Sequence, residues 1–211
     1  MEGVLAVYTA ADIRKAGLGT IKCLAPAIQP DGSRQPMPPH PLLADEKVRH
    51  VGDPVAFVVA ETADQARDAA DAIMVDYEPL PAVADPMAAI ARGAPQIHEQ
   101  APRNESFRWE KGDAEKTEAL FAQAAHTVSA RLINSRVVIA PIETRAAIGD
   151  WDGRRFTLYT PSQGPHSLQR QLANDIFHMP KDAFHVVTPD VGGAFGMKIF
   201  FKVDTIGHEG V

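Results

Sequence analysis

Cysteine is nearly missing from this chain. Cys23 is the single one, so no internal disulfide can form and a stapled, secreted miniature fold is excluded. Long apolar runs are also missing: nothing approaches the roughly 20 residues of a membrane-spanning helix. Basic charge is in deficit, with 21 Lys and Arg against 27 Asp and Glu and a formal net charge of −6. That weighs against nucleic acid and anionic membranes, which require a basic footprint. The first residues, with acidic Glu2, lack both a secretory charge pattern and a twin-arginine motif, so a cytoplasmic location is expected. Internal repeats and low-complexity tracts are absent as well.

What is present is an ordinary globular composition, 45% apolar and 23% charged, in 211 residues. That is enough chain to bury a core as one large or two small domains. Val4 to Tyr8 reads as a short apolar strand, followed by a helical turn with Thr9 or Asp12 as its cap. Six prolines between Pro26 and Pro41 forbid an interior helix or central strand and predict an extended surface loop. Val55 to Val59 is a continuous apolar run, the pattern of a strand buried on both faces. Thr62 and Gln65 have capping-box spacing ahead of a helix from Ala63 to Ile73, with Ala66, Ala69, Ala70 and Ile73 as its inward stripe. "MVDYEPL" then reads as a strand, which would complete a β-α-β unit.

From Asp85 the chain becomes rich in proline and charge, the composition of a domain linker. Asp113 is the expected N-cap of a helix through "AEKTEALFAQAA". "HTVSARLINSRVVIAPIE" predicts a long strand, or two joined by a bend, and "TRAAIGDW" and "RRFTLYT" two more. Asp152-Gly153 between them signals a hairpin of the type I′ kind. Pro165 opens a helix at the tolerated N1 position, and "AFHVVTP" is the strand that leads into "DVGGAFGMK".

Three glycines in five positions make a loop whose backbone can approach a ligand closely. It is not a phosphate-binding P-loop, because Met197 separates Gly196 from Lys198 and Ile199 stands where a hydroxyl is needed. Nor is it the dinucleotide fingerprint, since G-G-x-x-G lacks the first spacing. A plain turn after a strand remains open on the glycines alone. His126, His178 and His185 show no metal-ligand spacing with a carboxylate or with Cys23, so no protein-bound metal is assigned.

Three motifs in order, "RVVIAPIETRAAIGDWDG", "YTPSQGPHSLQRQLA" and "VVTPDVGGAFGMK", resemble the molybdenum-binding large subunits of the xanthine dehydrogenase/aldehyde oxidase family. Within it they are most like the group that holds the carbon monoxide dehydrogenase large subunit and bacterial aldehyde and heterocycle hydroxylases. "VGDPVAFVVAETADQARDAADAIMVDYEPLPAV" looks like that family's α/β hammerhead domain. The resemblance implies an α+β chain: a hammerhead domain over residues 1–84, short at its N-terminus, a linker over 85–111, and the first part of a molybdopterin-binding α/β domain over 112–211.

The same resemblance implies a molybdopterin cofactor, in bacteria often the cytosine dinucleotide form, whose dithiolene holds the molybdenum. Gly192, Gly193, Ala194, Phe195 and Gly196 match the family's G-G-x-F-G loop beside the metal. Phe195 either presents its amide and caps the pocket with its ring, or is a core aromatic after a turn. Gln163 matches the glutamine whose amide hydrogen-bonds an oxygen on molybdenum, a neutral donor suited to developing negative charge. Glu143 and Arg145 match a strand-end E-x-R, as a structural ion pair or, less favoured, as lining of the substrate funnel. His166 and Arg170 lie one helical turn apart and either meet a cofactor phosphate or form a solvated face.

Ile199 stands where purine-hydroxylating members carry a glutamate, which makes xanthine a poor substrate expectation. The family's glutamate general base belongs to a region beyond anything matched here, so the expectation is a partial chain without that base. Two functions follow from the resemblance. One is part of a molybdenum hydroxylase that oxidises aldehydes, carbon monoxide or N-heterocycles with water as oxygen source, served by an iron–sulfur subunit carrying [2Fe–2S] centres, an FAD subunit and the remainder of the large subunit. The other is a non-catalytic module that binds a partner chain or cofactor without turnover.

Overall fold

The computed structural model describes residues 1–23, 26–134 and 138–199. Strand β1 (Val4–Tyr8) leads into helix α1 (Ala10–Lys15), where Thr9 and Asp12 together form the capping box. Strand β2 (Phe57–Ala60) pairs antiparallel with β1, and α2 (Ala63–Asp71) follows at once. Thr62 Oγ1 accepts the Gln65 N–H at 3.2 Å, and the Gln65 side chain returns to the Thr62 N–H at 3.1 Å. Ala69 is buried and Ala66, Ala70 and Ile73 half-buried, which is the inward stripe that the 3.6-residue period predicts.

The β-α-β unit expected here does not form. Met74–Leu80 contains no strand, and Met74 is 96% exposed. β2 instead takes β1 as its neighbour and is half-buried along its length rather than enclosed on both faces. A strand needs a partner for its ladder, and an apolar run alone does not specify which one.

Residues 85–111 hold a short helix α3 (Pro86–Ala89) and are tied together by the Asn104 side-chain amide. Asn104 donates to Ala89 O and Pro95 O and accepts from Ile97 N, within 2.8–2.9 Å. Helix α4 (Ala114–Gln123) follows, its Asp113 cap accepting the Lys116 N–H at 2.9 Å. The strand expected over residues 126–143 is not observed: residues 126–134 and 138–143 carry no strand, and residues 135–137 lie outside the described set. Val128, Leu132 and Ile133 are 80–92% exposed.

The second sheet has three strands in the order β3 (Ile148–Trp151), β4 (Phe156–Tyr159), β5 (Phe184–Val187). β3 and β4 form the expected hairpin, but only Gly153 takes positive φ, +87°. A type I′ turn needs two such residues. The Asp152 carboxylate holds this turn instead, accepting the Arg154 and Arg155 N–H groups at 2.8 and 2.7 Å. β4 and β5 are parallel and joined by helix α5 (Pro165–Gln171), which continues through a π-helical turn to Ile176. The chain's β-α-β unit is therefore in its second half.

The core joins both halves. Leu168, Leu172, Ala173 and Ile176 from the α5 segment pack with Phe184, Ile21 and Leu42. Phe156 stacks on Phe184 at 5.4 Å, with Phe177 against both. No residue of the proline-rich segment 26–41 is buried, as expected of a surface loop, and the chain turns inward directly after it, with Leu42 and Leu43 only 2–3% exposed. Gly19 allows the approach: its N–H donates to Ile176 O at 2.8 Å, and a Cβ there would stand 1.9 Å from Asp175 O.

Candidate cofactor-binding site

Topology brings the sequence-distant motifs to one end of the three-stranded sheet. Gln163 follows the end of β4, and Gly192–Gly196 follow the end of β5, which runs parallel to it. Glu143 and Arg145 precede β3, whose first residue, Ile148, pairs with Tyr159 at the end of β4. Ligands of parallel α/β sheets gather at these carboxyl ends.

The strand ends are held by buried hydroxyls. Thr160, 3% exposed, extends the ladder by donating its N–H to Val187 O at 3.0 Å, and its Oγ1 donates to Ala146 O at 2.8 Å. Ser162 Oγ accepts the Gly164 N–H at 3.0 Å, which shapes the turn before α5. Gln163 itself is exposed. Its side chain makes no hydrogen bond among the described residues, while its N–H donates to Lys198 O at 3.0 Å.

The glycine loop is attached to Glu143. Gly192 N–H donates to Glu143 Oε2 at 2.8 Å, and Glu143 N–H donates to Gly192 O at 3.3 Å. Lys198 Nζ donates to the same Oε2 at 2.6 Å and to Glu143 O at 3.0 Å. Arg145 Nη2 donates to Met197 O. The Lys198 ammonium and then the Gly192 N–H hold the Glu143 carboxyl below its ordinary range. Glu143 thus meets Lys198, not Arg145, as its ion-pair partner among the described residues. The E-x-R spacing suggested otherwise because Lys198 is 55 residues away.

Two of the glycines have steric reasons. A Cβ on Gly192 would lie 2.7 Å from Glu143 Cβ, and Gly193, at φ +102°, faces Pro141 Cβ and the Phe195 ring. Gly196, at φ +85°, has nothing within 4 Å of its Cβ position and borders open space. Phe195 is no core aromatic: it is 74% exposed and left-handed at φ +49°. Such a conformation costs on the order of 1–3 kcal/mol and tends to occur at functional sites. The N–H groups of Gly193, Ala194, Phe195 and Gly196 reach no acceptor among the described residues. Thr188 Oγ1, at the head of the loop, is buried and likewise without one.

His166 and Arg170 are exposed, and Arg170 Nη2 reaches only Ser167 Oγ, at 3.5 Å. No group of three or more His, Cys, Asp or Glu side chains that could hold a metal ion occurs among the described residues. No helix among them is long and apolar enough to cross a membrane. Lys198 was missed as an anchor in the sequence. Its signal was a lone charge inside "GMKIF", which reads equally as a solvated residue.

A hammerhead-like α/β unit followed by a sheet edge with donor-rich loops defines a class of large, cofactor-binding oxidoreductase subunits. The family profile for the aldehyde oxidase and xanthine dehydrogenase a/b hammerhead domain matches residues 1–81, and that for the molybdopterin cofactor-binding domain matches residues 97–206. The chain belongs to this molybdenum hydroxylase family, as a mixed α+β hammerhead and molybdopterin-binding region of its large subunits. It is 36% identical to the carbon monoxide dehydrogenase large chain of Afipia carboxidovorans, over 94% of this chain and 25% of that protein. It is 35% identical to the nicotine 6-hydroxylase large subunit of Paenarthrobacter nicotinovorans, over 94% and 23%. Quinoline 2-oxidoreductase from Pseudomonas putida 86 superposes with a TM-score of 0.85 at 30% identity, over 98% of this chain and 25% of that one. The chain therefore spans about a quarter of the length of these relatives.

The residues present fit a molybdopterin. Four successive loop positions offer N–H donors unused among the described residues and Gln163 offers a neutral amide, a donor set suited to an oxygen-rich, anionic group.

Proposed function

We propose that this chain supplies part of the cofactor wall of a molybdenum hydroxylase that oxidises an aldehyde, carbon monoxide or an N-heterocycle. In this reading residues 1–84 form the hammerhead unit, 85–111 the connection and 112–211 the cofactor-binding unit. The observation that carries it is the run of N–H donors at Gly193–Gly196, free of acceptors among the described residues and held on a strained, clamped loop.

The bound group, in molybdopterin or its cytosine dinucleotide form, would supply the redox chemistry, taking two electrons from a substrate that gains oxygen from water. The protein's part is orientation. The Gly193–Gly196 amides would hold the cofactor through their N–H groups, and the Gln163 amide would donate a hydrogen bond to it. Because the loop amides are fixed before any charge develops, they need no reorganisation when it does. Companion subunits carrying [2Fe–2S] centres and FAD would receive the electrons. The relatives' designations as "large chain" and "large subunit" support a multi-subunit setting.

The test is metal and nucleotide analysis of the protein purified with its companion subunits. Stoichiometric molybdenum is expected and its absence overturns the reading, while a cytidine nucleotide released by acid would identify the dinucleotide form. In the same assembly Gln163→Ala should keep its molybdenum while turnover falls about 10²–10³-fold, the cost of one preorganised donor. Unchanged turnover would remove Gln163 from the mechanism.

A further inference from the structure

We infer that Glu143 and Lys198 are a positioning pair that sets the conformation of the Gly192–Lys198 loop, and so the set of N–H donors it presents. The inference rests on the cofactor reading above and adds a role to two residues outside the donor set.

The loop is pinned at both ends to one residue. At its start, Glu143 engages both main-chain groups of Gly192, with N–H to O at 3.3 Å and Oε2 to N–H at 2.8 Å. At its end, Lys198 engages two oxygens of Glu143, the carbonyl at 3.0 Å and Oε2 at 2.6 Å. Residues 193–197 therefore close a ring whose ends cannot drift apart. All three positive-φ residues of the loop, Gly193, Phe195 and Gly196, fall inside that ring. An unconstrained loop would relax Phe195 out of the left-handed region, so something must hold it there. The Arg145 bond to Met197 O and the Gln163 bond to Lys198 O reinforce the second pin.

Lys198 is suited to anchoring and not to contact with a substrate. Its side chain is 1% exposed, with its identified donors both turned to Glu143. A buried ammonium persists only when paired, so the lysine and the carboxylate hold each other in place. A cation at a surface loop could otherwise leave for water. The packing agrees: Glu143 Cβ lies so close to Gly192 that a methyl group there would collide at 2.7 Å. The steric fit and the polar fit select the same register.

The experiment compares wild type, Lys198→Met and Glu143→Gln in the full chain assembled with its companion subunits. It reads bound molybdenum, the electron paramagnetic resonance spectrum of the bound metal, and hydrogen exchange of the Gly192 amide. Lys198→Met should lower molybdenum retention by about 10–100-fold, as loss of an outer-shell partner does. Glu143→Gln keeps an acceptor for Gly192 but loses the charge. It should retain more metal than Lys198→Met, yet shift the resonance positions. Gly192 amide exchange should accelerate about 10-fold or more in Lys198→Met, since the charge-assisted bond behind it is lost. Folded variants with wild-type exchange, metal content and spectrum overturn the pair. Should Lys198→Met fail to fold, near-isosteric Glu143→Gln decides by the same readings. Wild-type protein without molybdenum would defeat the cofactor reading alone, because the exchange measurement reads the pin without any cofactor.

Discussion

At the scale of single residues, Glu143 carries the site's electrostatics. Its carboxyl lies below the ordinary range, chiefly through the Lys198 ammonium and secondly through the Gly192 N–H. A carboxyl depressed by folding contributes stability in full above its unfolded value, near 4.3 for glutamate, and loses it as pH falls through the lower folded value. The melting-temperature advantage of wild type over Glu143→Gln should hold steady from about pH 8 to about pH 5 and shrink below about pH 4. An advantage that stays constant on acidification would mean that the carboxylate is not ionised against Lys198. The motifs around Gln163 and around the glycines each stand out in the sequence because each is a short contiguous run. The choice of Lys198 over Arg145 does not stand out, because partners 55 positions apart meet only in three dimensions.

Among the elements, the helices were the most readable. Their caps are local: Thr9 with Asp12, Thr62 with Gln65, and Asp113 with Lys116 each act within three residues. Thr62 is exposed, so its contribution to α2 is almost purely the cap. Thr62→Ala should cost about 1 kcal/mol and Thr62→Ser much less, measured by urea unfolding. Equal losses for the two variants would show that the hydroxyl is not the source. Strands were harder. Residues 74–80 and 126–134 carry strand-like apolar patterns and yet form none, whereas β1, β2 and the three strands of the second sheet all found partners. Periodicity reports a face to bury, and pairing is settled elsewhere in the chain. The type I′ expectation failed for a related reason: the Asp152 carboxylate supplied the turn's acceptor, and one left-handed residue was enough.

For the whole molecule, the core around Ile176 ties the N-terminal segment to the sheet that bears the site. Ile176 is 1% exposed and packs within the cluster shared by Ile21, Leu42 and Phe184, and its carbonyl receives the Gly19 N–H. Ile176→Ala should destabilise by about 2–5 kcal/mol, since a cavity is left in a packed interior, and chemical denaturation in the assembled protein would read it. A loss below about 1 kcal/mol would indicate that the two halves do not share this core. The sequence by itself determined the family, through short motifs in a fixed order, and the helix starts, through caps that act within a few positions. Only the tertiary structure decided that β1 pairs with β2, that Leu42, just after the proline-rich stretch, enters the core, and that one buried lysine closes the loop on Glu143. Those are contacts between distant segments. Their energy comes from burial and charge pairing, which appear only when the chain has already come together.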